Sequence, residues 1–240
     1  MIAGIRARLA HYLRCRLGLP TVQLALRRLK RAGFEPGVVF DVGASYGLFV
    51  DEAREFWPDA VVHCFEPEPE YVRALHERGE DPAKLRICPD LVGATCADAC
   101  DYHFHLGASS VLPSATQASQ FPAGMGSKRT ARMITLDAWC SEANVRPKML
   151  KIDVQGYELE VLRGATDTLP AVEVILTEVN YIEIYRGVPL AAEIVEWLAH
   201  RGYALHDVFN FMPRPSDGAL WQSDMVFVRH DSAIRGSKVW

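Results

Sequence analysis

The chain has 240 residues, of which 49% are hydrophobic and 23% charged, a balance that excludes a disordered tail or a disulfide-stapled miniprotein and suits one α/β domain with an appendage. Its formal net charge of −4 excludes a globally basic nucleic-acid binder, and no apolar run reaches the ~18 residues of a membrane span. The charge is uneven: residues 1–34 hold eight basic side chains (Arg6, Arg8, Arg14, Arg16, Arg27, Arg28, Lys30, Arg31) and no acid, while the remainder holds 18 basic against 30 acidic residues.

In chain order, Ile2, Ile5, Leu9, Leu13 and Leu17 recur at helical spacing with arginines between them, which predicts a basic amphipathic helix. The arginines also interrupt what would be the apolar core of a secretory signal. A second helix is predicted from Thr21, a capping residue, to Ala32, before Gly33. Val38–Val42, Val61–Phe65 and Leu85–Cys88 are short apolar runs that read as buried strands, separated by helix-like segments 48–57 and 70–78. Such alternation predicts βαβ units and a parallel sheet.

Residues 102–127 interrupt the rhythm. The segment starts strand-like, then becomes rich in Gly, Ser, Ala and Pro with no charged residue, and reads as a loop over the site. Beyond it the pattern predicts an edge strand at 132–134, a helix at 136–143, strands at 149–153 and 172–177, helices at 157–164 and 190–201, and last strands at 203–208 and 225–228. The expected fold is therefore a Rossmann-like, doubly wound seven-stranded sheet, mostly parallel with an antiparallel strand near the C-terminus. The expected organisation is a basic helical extension (1–34), a main domain (35–230) and a tail (231–240).

The sharpest chemical feature is Asp41-Val42-Gly43-Ala44-Ser45-Tyr46-Gly47, between the first strand and the next helix. In a doubly wound sheet, ligands bind at the carboxyl ends of the strands. Small residues there expose backbone to a ligand. Glu66, nineteen residues after Gly47 and ending the second strand before Pro67, is placed to accept hydrogen bonds from two ribose hydroxyls. A dinucleotide fingerprint needs glycine at the positions of Ser45 and Leu48. Their absence favours S-adenosylmethionine, which has no pyrophosphate, over NAD(P). A nicotinamide-dependent oxidoreductase and a non-catalytic donor-binding scaffold are the competing readings.

These segments resemble the FkbM-type methyltransferases. The resemblance is carried by residues 41–47, by Phe65-Glu66-Pro67, by Ile134-Thr135-Leu136-Asp137 and by the long run from Leu150 to Ala165, and it spans roughly residues 36–230. Ser45 stands where the family often has Asn, and Gln155 where it often has Glu. The resemblance implies a class I fold and methyl transfer from S-adenosylmethionine to an oxygen of a sugar, glycan or secondary metabolite. It implies a donor site in which Asp41 organises the turn or the donor's amino group. Gly43, Ala44, Ser45, Tyr46 and Gly47 would surround the methionine part, and Glu66 and Pro67 the ribose. Asp90 and Leu91 would border the adenine, and Asp153 and Val154 the sulfonium.

An alcohol must lose a proton as it is methylated, so a base near the methyl group helps. Asp153 and Glu178 end neighbouring core strands and are the expected catalytic carboxylates. The competing structural reading is that Asp153 caps the helix beginning near Tyr157. Ser109, Ser110, Asn180 and Tyr181 are the acceptor candidates, with Tyr185 nearby. No metal is required. If a divalent ion such as Mg²⁺ were used, Asp153, Glu178 and Asn180 would be its oxygen ligands. The weaker pairs are His103 with His105, His206 with Asp207, and Cys96 with Cys100, which lacks a matching second ligand pair for zinc.

The expected partner is a small-molecule or glycan acceptor, not nucleic acid. The basic arm has three readings: a solvated helix face, a peripheral contact with an anionic membrane, or a lid or homodimer contact. Six cysteines without a C-x-x-C pair fit reduced thiols and a cytoplasmic protein.

Overall fold

Thr21 opens the first helix of the computed structural model, which describes residues 20–104, 109–115 and 127–236. Its hydroxyl accepts the Leu24 N–H, the cap expected of a threonine before an apolar-periodic run. The alternation then follows the sequence: α1 (Val22–Arg31), β1 (Val38–Val42), α2 (Leu48–Phe56), β2 (Val61–Phe65), α3 (Pro69–Glu77) and β3 (Leu85–Cys88). After these come β4 (Leu91–Val92), β5 (Ala97–Phe104), β6 (Ser127–Ile134), α4 (Leu136–Ala143), β7 (Met149–Ile152) and α5 (Glu158–Arg163). The chain closes with β8 (Val174–Asn180), α6 (Ala191–Ala199), β9 (Tyr203–Pro213) and β10 (Leu220–Arg229).

The main sheet has the order β3-β2-β1-β7-β8-β10-β9. Its pairs are parallel except those of β10, which runs antiparallel to both neighbours. The expected doubly wound sheet with its late antiparallel strand is thus present. The chain winds from β1 toward β3 on one side and from β7 toward β9 on the other, so a crevice opens where β1 and β7 end.

Each face carries its own core. One is built from Leu136, Leu162, Ile194 and Leu198 against Phe40, Leu150 and Ile175. The other is built from Leu26, Leu29, Phe49 and Ala53 against Val39, Met149 and Val226. The helix α1 belongs to that second core, and Arg28 reaches Asp207 of β9 at 2.6 Å. The predicted helix at residues 2–17 lies outside the described residues, as do His105, most of the uncharged loop and the last four residues.

Three expectations about elements are corrected. The strand expected at 132–134 as an edge runs over eight residues and is the central strand of a separate sheet, β4-β6-β5. Its sequence, SKRTARMI, has one solvated face, so only its apolar end carried a signal. The strand expected to stop at Thr177 continues to Asn180. Glu178 and Asn180 are polar, but they pair in register with Asp224 and Gln222 of β10, and the Gln222 amide donates to a side-chain oxygen of each. Finally, β9 and β10 extend well beyond the expected 203–208 and 225–228 as a long hairpin.

Candidate active site

The turn after β1 is held from three directions. The Gly43 and Ala44 N–H groups donate to the Phe65 carbonyl at 2.9 and 3.3 Å. The Lys151 ammonium donates to the Gly43 carbonyl at 2.8 Å and lies 2.9 Å from Asp41 Oδ1. Gly43 has φ +81, and a Cβ there would stand 1.8 Å from the Asp153 carbonyl oxygen. Asp41 and Lys151 are both buried. Burial raises the Asp41 pKa, and Lys151 opposes that rise. For Lys151, burial disfavours the charge, but the Asp41 and Asp153 carboxylates outweigh it and its proton is held more tightly. Gly47, at φ +82, starts α2 where a Cβ would meet Leu75 of α3 at 2.9 Å.

Glu66 continues the site from β2. Its Oε2 accepts the Ser45 N–H at 2.8 Å and its Oε1 the Glu68 N–H at 2.9 Å. Burial pushes its carboxyl up to about 7, against the pull of the Ser45 N–H. After β3, Asp90 is gripped by Arg132 of β6 through Nε at 3.0 Å and Nη2 at 2.5 Å. The second sheet also brings Tyr102, whose hydroxyl donates to Glu68 at 3.2 Å, and Arg129, which pairs with the same fully buried carboxylate. Together these elements enclose one cleft. Gly43, Ser45, Glu66, Pro67, Asp90, Leu91, Val92, Asp153, Val154 and Gln155 line it, with Tyr71, Tyr102 and Tyr157 on its walls. Ser109, Ser110 and Val111 form a strap at its rim, and Ser110 pairs with His103 through both backbone groups, at 2.8 and 3.0 Å.

At the β7 end, Gln155 Nε2 donates to Asp153 Oδ1 at 2.9 Å and to Glu178 Oε1 at 3.1 Å. Gln222 Nε2 donates to the same Glu178 oxygen at 2.8 Å and to Asn180 Oδ1 at 3.0 Å. Glu178 is buried, and burial followed by the nearby Asp153, Glu158 and Asp224 carboxylates holds its pKa well above the usual carboxylate range. Glu158 accepts the Val154 and Gly156 N–H groups, so it shapes the turn after Asp153.

Of the residues expected around the donor, Gly43, Ser45, Glu66, Pro67, Asp90, Leu91, Asp153 and Val154 come together in the cleft. Asp41, Ala44 and Gly47 lie outside its lining, and the Tyr46 ring, 55% exposed, sits edge-on against Tyr71 at 4.4 Å. Of the acceptor candidates, Ser109 and Ser110 are at the cleft. Glu178 and Asn180 stand behind Gln155 with their oxygens on amide donors, and Tyr181 bonds Ser223 at 2.8 Å. Asp207 pairs with Arg28. Among the described residues there is no group of three or more His, Cys, Asp or Glu that could hold a metal ion.

Sequence reasoning passed over Lys151, Tyr71, Tyr102, Glu158 and Arg132. It noted Gln155 only as a departure from the family's usual residue. Their signals are weak: a single lysine in Met149-Leu150-Lys151-Ile152 reads as a strand residue until its acidic neighbour on β1 is known.

The cleft fits S-adenosylmethionine. Each Glu66 oxygen has one backbone donor and keeps a second lone pair, which suits a ribose diol. Phe65, Leu91, Val92 and Tyr71 offer an apolar slot for a flat base, and the Asp153 carboxyl group lines the same cleft from the β7 end.

A sheet of this order with a nucleoside-fitting cleft at its switch point defines a class I S-adenosylmethionine-dependent methyltransferase. The chain belongs to the FkbM family: the profile of the Methyltransferase FkbM domain matches residues 41–205. It is similar to the 2-O-methyltransferase NoeI of Sinorhizobium fredii, with 28% identity over 65% of this chain and 68% of that protein. It is also similar to the hexuronic acid methyltransferase AglP of Haloferax volcanii, with 30% identity over 66% of this chain and 62% of that one. Among solved structures, the methyltransferase FkbM of Methylobacillus flagellatus aligns with TM-score 0.49 and 12% identity, over 80% of this chain and 43% of that one. No helix among the described residues is long and apolar enough to cross a membrane.

Proposed function

We propose that this protein methylates a hydroxyl group of a sugar or glycan. The observation that carries the reading is the arrangement in one cleft of Gly43, Glu66, Asp90 and Asp153 at the ends of four successive parallel strands. The similarity to a 2-O-methyltransferase and a hexuronic acid methyltransferase supports oxygen on a sugar as the target.

When bound, S-adenosylmethionine supplies an electrophilic methyl group on a cationic sulfur. The chain's own work is to bind, orient and deprotonate. Glu66 holds the ribose, and Asp90, braced by Arg132, borders the base. Asp153 faces the reacting end and takes the proton of the acceptor hydroxyl. Ser109 and Ser110, on the strap, offer hydrogen bonds to the acceptor.

Titration calorimetry with S-adenosylhomocysteine, followed by transfer of a labelled methyl group from the donor to a panel of uronic acids, neutral hexoses, amino sugars and oligosaccharides, tests the proposal. Binding together with label in a methyl ether is the expected result. Binding with label only in nitrogen-containing acceptors would overturn the oxygen assignment, and no binding would overturn the donor site.

A further inference from the structure

Gln155 occupies an uncommon position. Its φ of +55 is a left-handed backbone that favours glycine, yet it keeps a long side chain whose polar groups are all engaged. One nitrogen donates to two carboxyls, Asp153 Oδ1 at 2.9 Å and Glu178 Oε1 at 3.1 Å. The side-chain oxygen accepts the Tyr185 hydroxyl at 3.0 Å, and the main-chain oxygen accepts the Ser110 hydroxyl at 2.6 Å. Ser110 in turn accepts the Leu112 N–H at 3.0 Å. One residue therefore ties the end of β7, the interior of β8, the segment after β8 and the strap to one another.

The chemistry of an amide decides what this junction does. Two carboxyls held about 3 Å from one nitrogen repel each other when both are ionised, and a buried setting strengthens that repulsion. An amide NH₂ has two hydrogens and no acceptor capacity at nitrogen, so it satisfies one oxygen of each acid and stands between them at any pH. Other charges also face Asp153: Asp41 on β1, Glu66 after β2, Lys151 on β7, Glu158 on α5 and Asp224 on β10, with the Tyr185 phenol above. Lys151 Nζ, 3.8 Å from Asp153 Oδ2, is shared with Asp41. Gln155 is the direct donor to the other oxygen.

We infer that Gln155 is the positioning residue of the reaction: its side-chain amide separates the Asp153 and Glu178 carboxyls and aims Asp153 into the cleft, while its main-chain carbonyl anchors the strap through Ser110. The role assigned to Asp153 rests on the methyl-transfer reading above. The clamp itself is a property of this chain and is measured without any acceptor.

The test is a titration of the full-length protein carrying ¹³C-carboxyl aspartate, with the Asp153 signal assigned by its loss in Asp153→Asn. Gln155→Glu places a third ionisable group between the two acids, and Gln155→Gly removes the amide while suiting the left-handed backbone. We expect the Asp153 midpoint to rise in both variants, by about one pH unit or more, with the fold retained by circular dichroism. Midpoints unchanged in two folded variants would overturn the clamp. If Gln155→Glu does not fold, Gln155→Gly gives the same reading alone. A parent protein that methylates no sugar would overturn the proposed function and leave this titration untouched.

Discussion

Gly43 and Asp153 touch backbone to backbone: the place a Cβ would take on Gly43 is 1.8 Å from the Asp153 carbonyl oxygen. This contact brings the turn after β1 and the carboxylate proposed as the base within one van der Waals layer. A backbone oxygen has no rotamer with which to yield, and φ +81 adds its own penalty to any side chain.

Gly43→Ala is therefore expected to cost about 2–5 kcal/mol of stability, the sum of a left-handed penalty and overpacking, and to abolish binding of S-adenosylhomocysteine. Gly79 has φ +65 with nothing within 4 Å of its Cβ position. Gly79→Ala should lose only about 1–2 kcal/mol and bind normally. Urea unfolding and calorimetry on the two variants make the comparison.

Burial holds Glu66, Glu158 and Asp224 at about 7, from ordinary values of 4.5, 4.5 and 3.8. Over that interval the native state keeps protons that the unfolded chain has released. Stability contributed by these groups is then present at low pH and lost as pH rises through about 7. The ligand-free protein should show a higher urea midpoint at about pH 5.5 than at about pH 8. A cationic donor favours the ionised carboxylates, so its binding should release protons near neutral pH. Buffers of different ionisation enthalpy will reveal this in calorimetry, and Glu66→Gln should reduce the release while weakening binding by about 1–3 kcal/mol.

How much of this was legible in the sequence follows from the range of each interaction. Gly43, Glu66 and the strands beneath them are written locally: small residues at a turn, an acid at a strand end, short β-branched runs. The alternation therefore predicts the order of elements from β1 to β3 and the cleft's first half. The second sheet was legible only in fragments, at the start of 102–127 and at 132–134, because β6 mixes Lys128, Arg129 and Arg132 with Thr and Ala and its partner β5 carries Asp98, Asp101 and His103. Nor was the state of Glu178. A carboxylate at a strand end and one buried mid-strand between two glutamine amides read alike until β10 is placed beside β8. Gln222 is 44 residues from Glu178, and no short-range pattern links them.

That placement separates the two carboxylates proposed as bases. Glu178 is buried with its proton affinity raised by burial and by the nearby carboxylates, so Glu178→Gln, which keeps its shape and an acceptor oxygen, should change stability by less than about 1 kcal/mol and leave donor affinity intact. Glu178→Ala removes one of the two acceptors of each of the Gln155 and Gln222 amides and leaves a cavity, and should cost about 1–3 kcal/mol. Asp153→Asn keeps the shape of the site but removes the base, and methyl transfer should fall about 10²–10⁴-fold with S-adenosylhomocysteine binding retained. A loss of turnover in Glu178→Gln equal to that in Asp153→Asn would assign the proton to the deeper acid.

Lys151 offers the last test, because it is the cation that holds the turn after β1 through the Gly43 carbonyl. Its ammonium is buried between Asp41 at 2.9 Å and the Gly43 carbonyl at 2.8 Å, with the Phe49 ring centroid 5.9 Å away. Lys151→Met keeps the volume and leaves Asp41 as an unpaired buried charge beside an unsatisfied carbonyl. Breaking one side of a buried pair costs about 3–5 kcal/mol, whereas removing both sides can be nearly neutral. The double variant Asp41→Asn with Lys151→Met should accordingly recover a large part of the stability lost in Lys151→Met alone. It should not recover donor affinity, because no donor then holds the Gly43 carbonyl and the turn no longer presents its backbone at the cleft. Urea unfolding separates the first effect, and calorimetry with S-adenosylhomocysteine the second. Full recovery of both in the double variant would mean that the lysine serves only to neutralise Asp41.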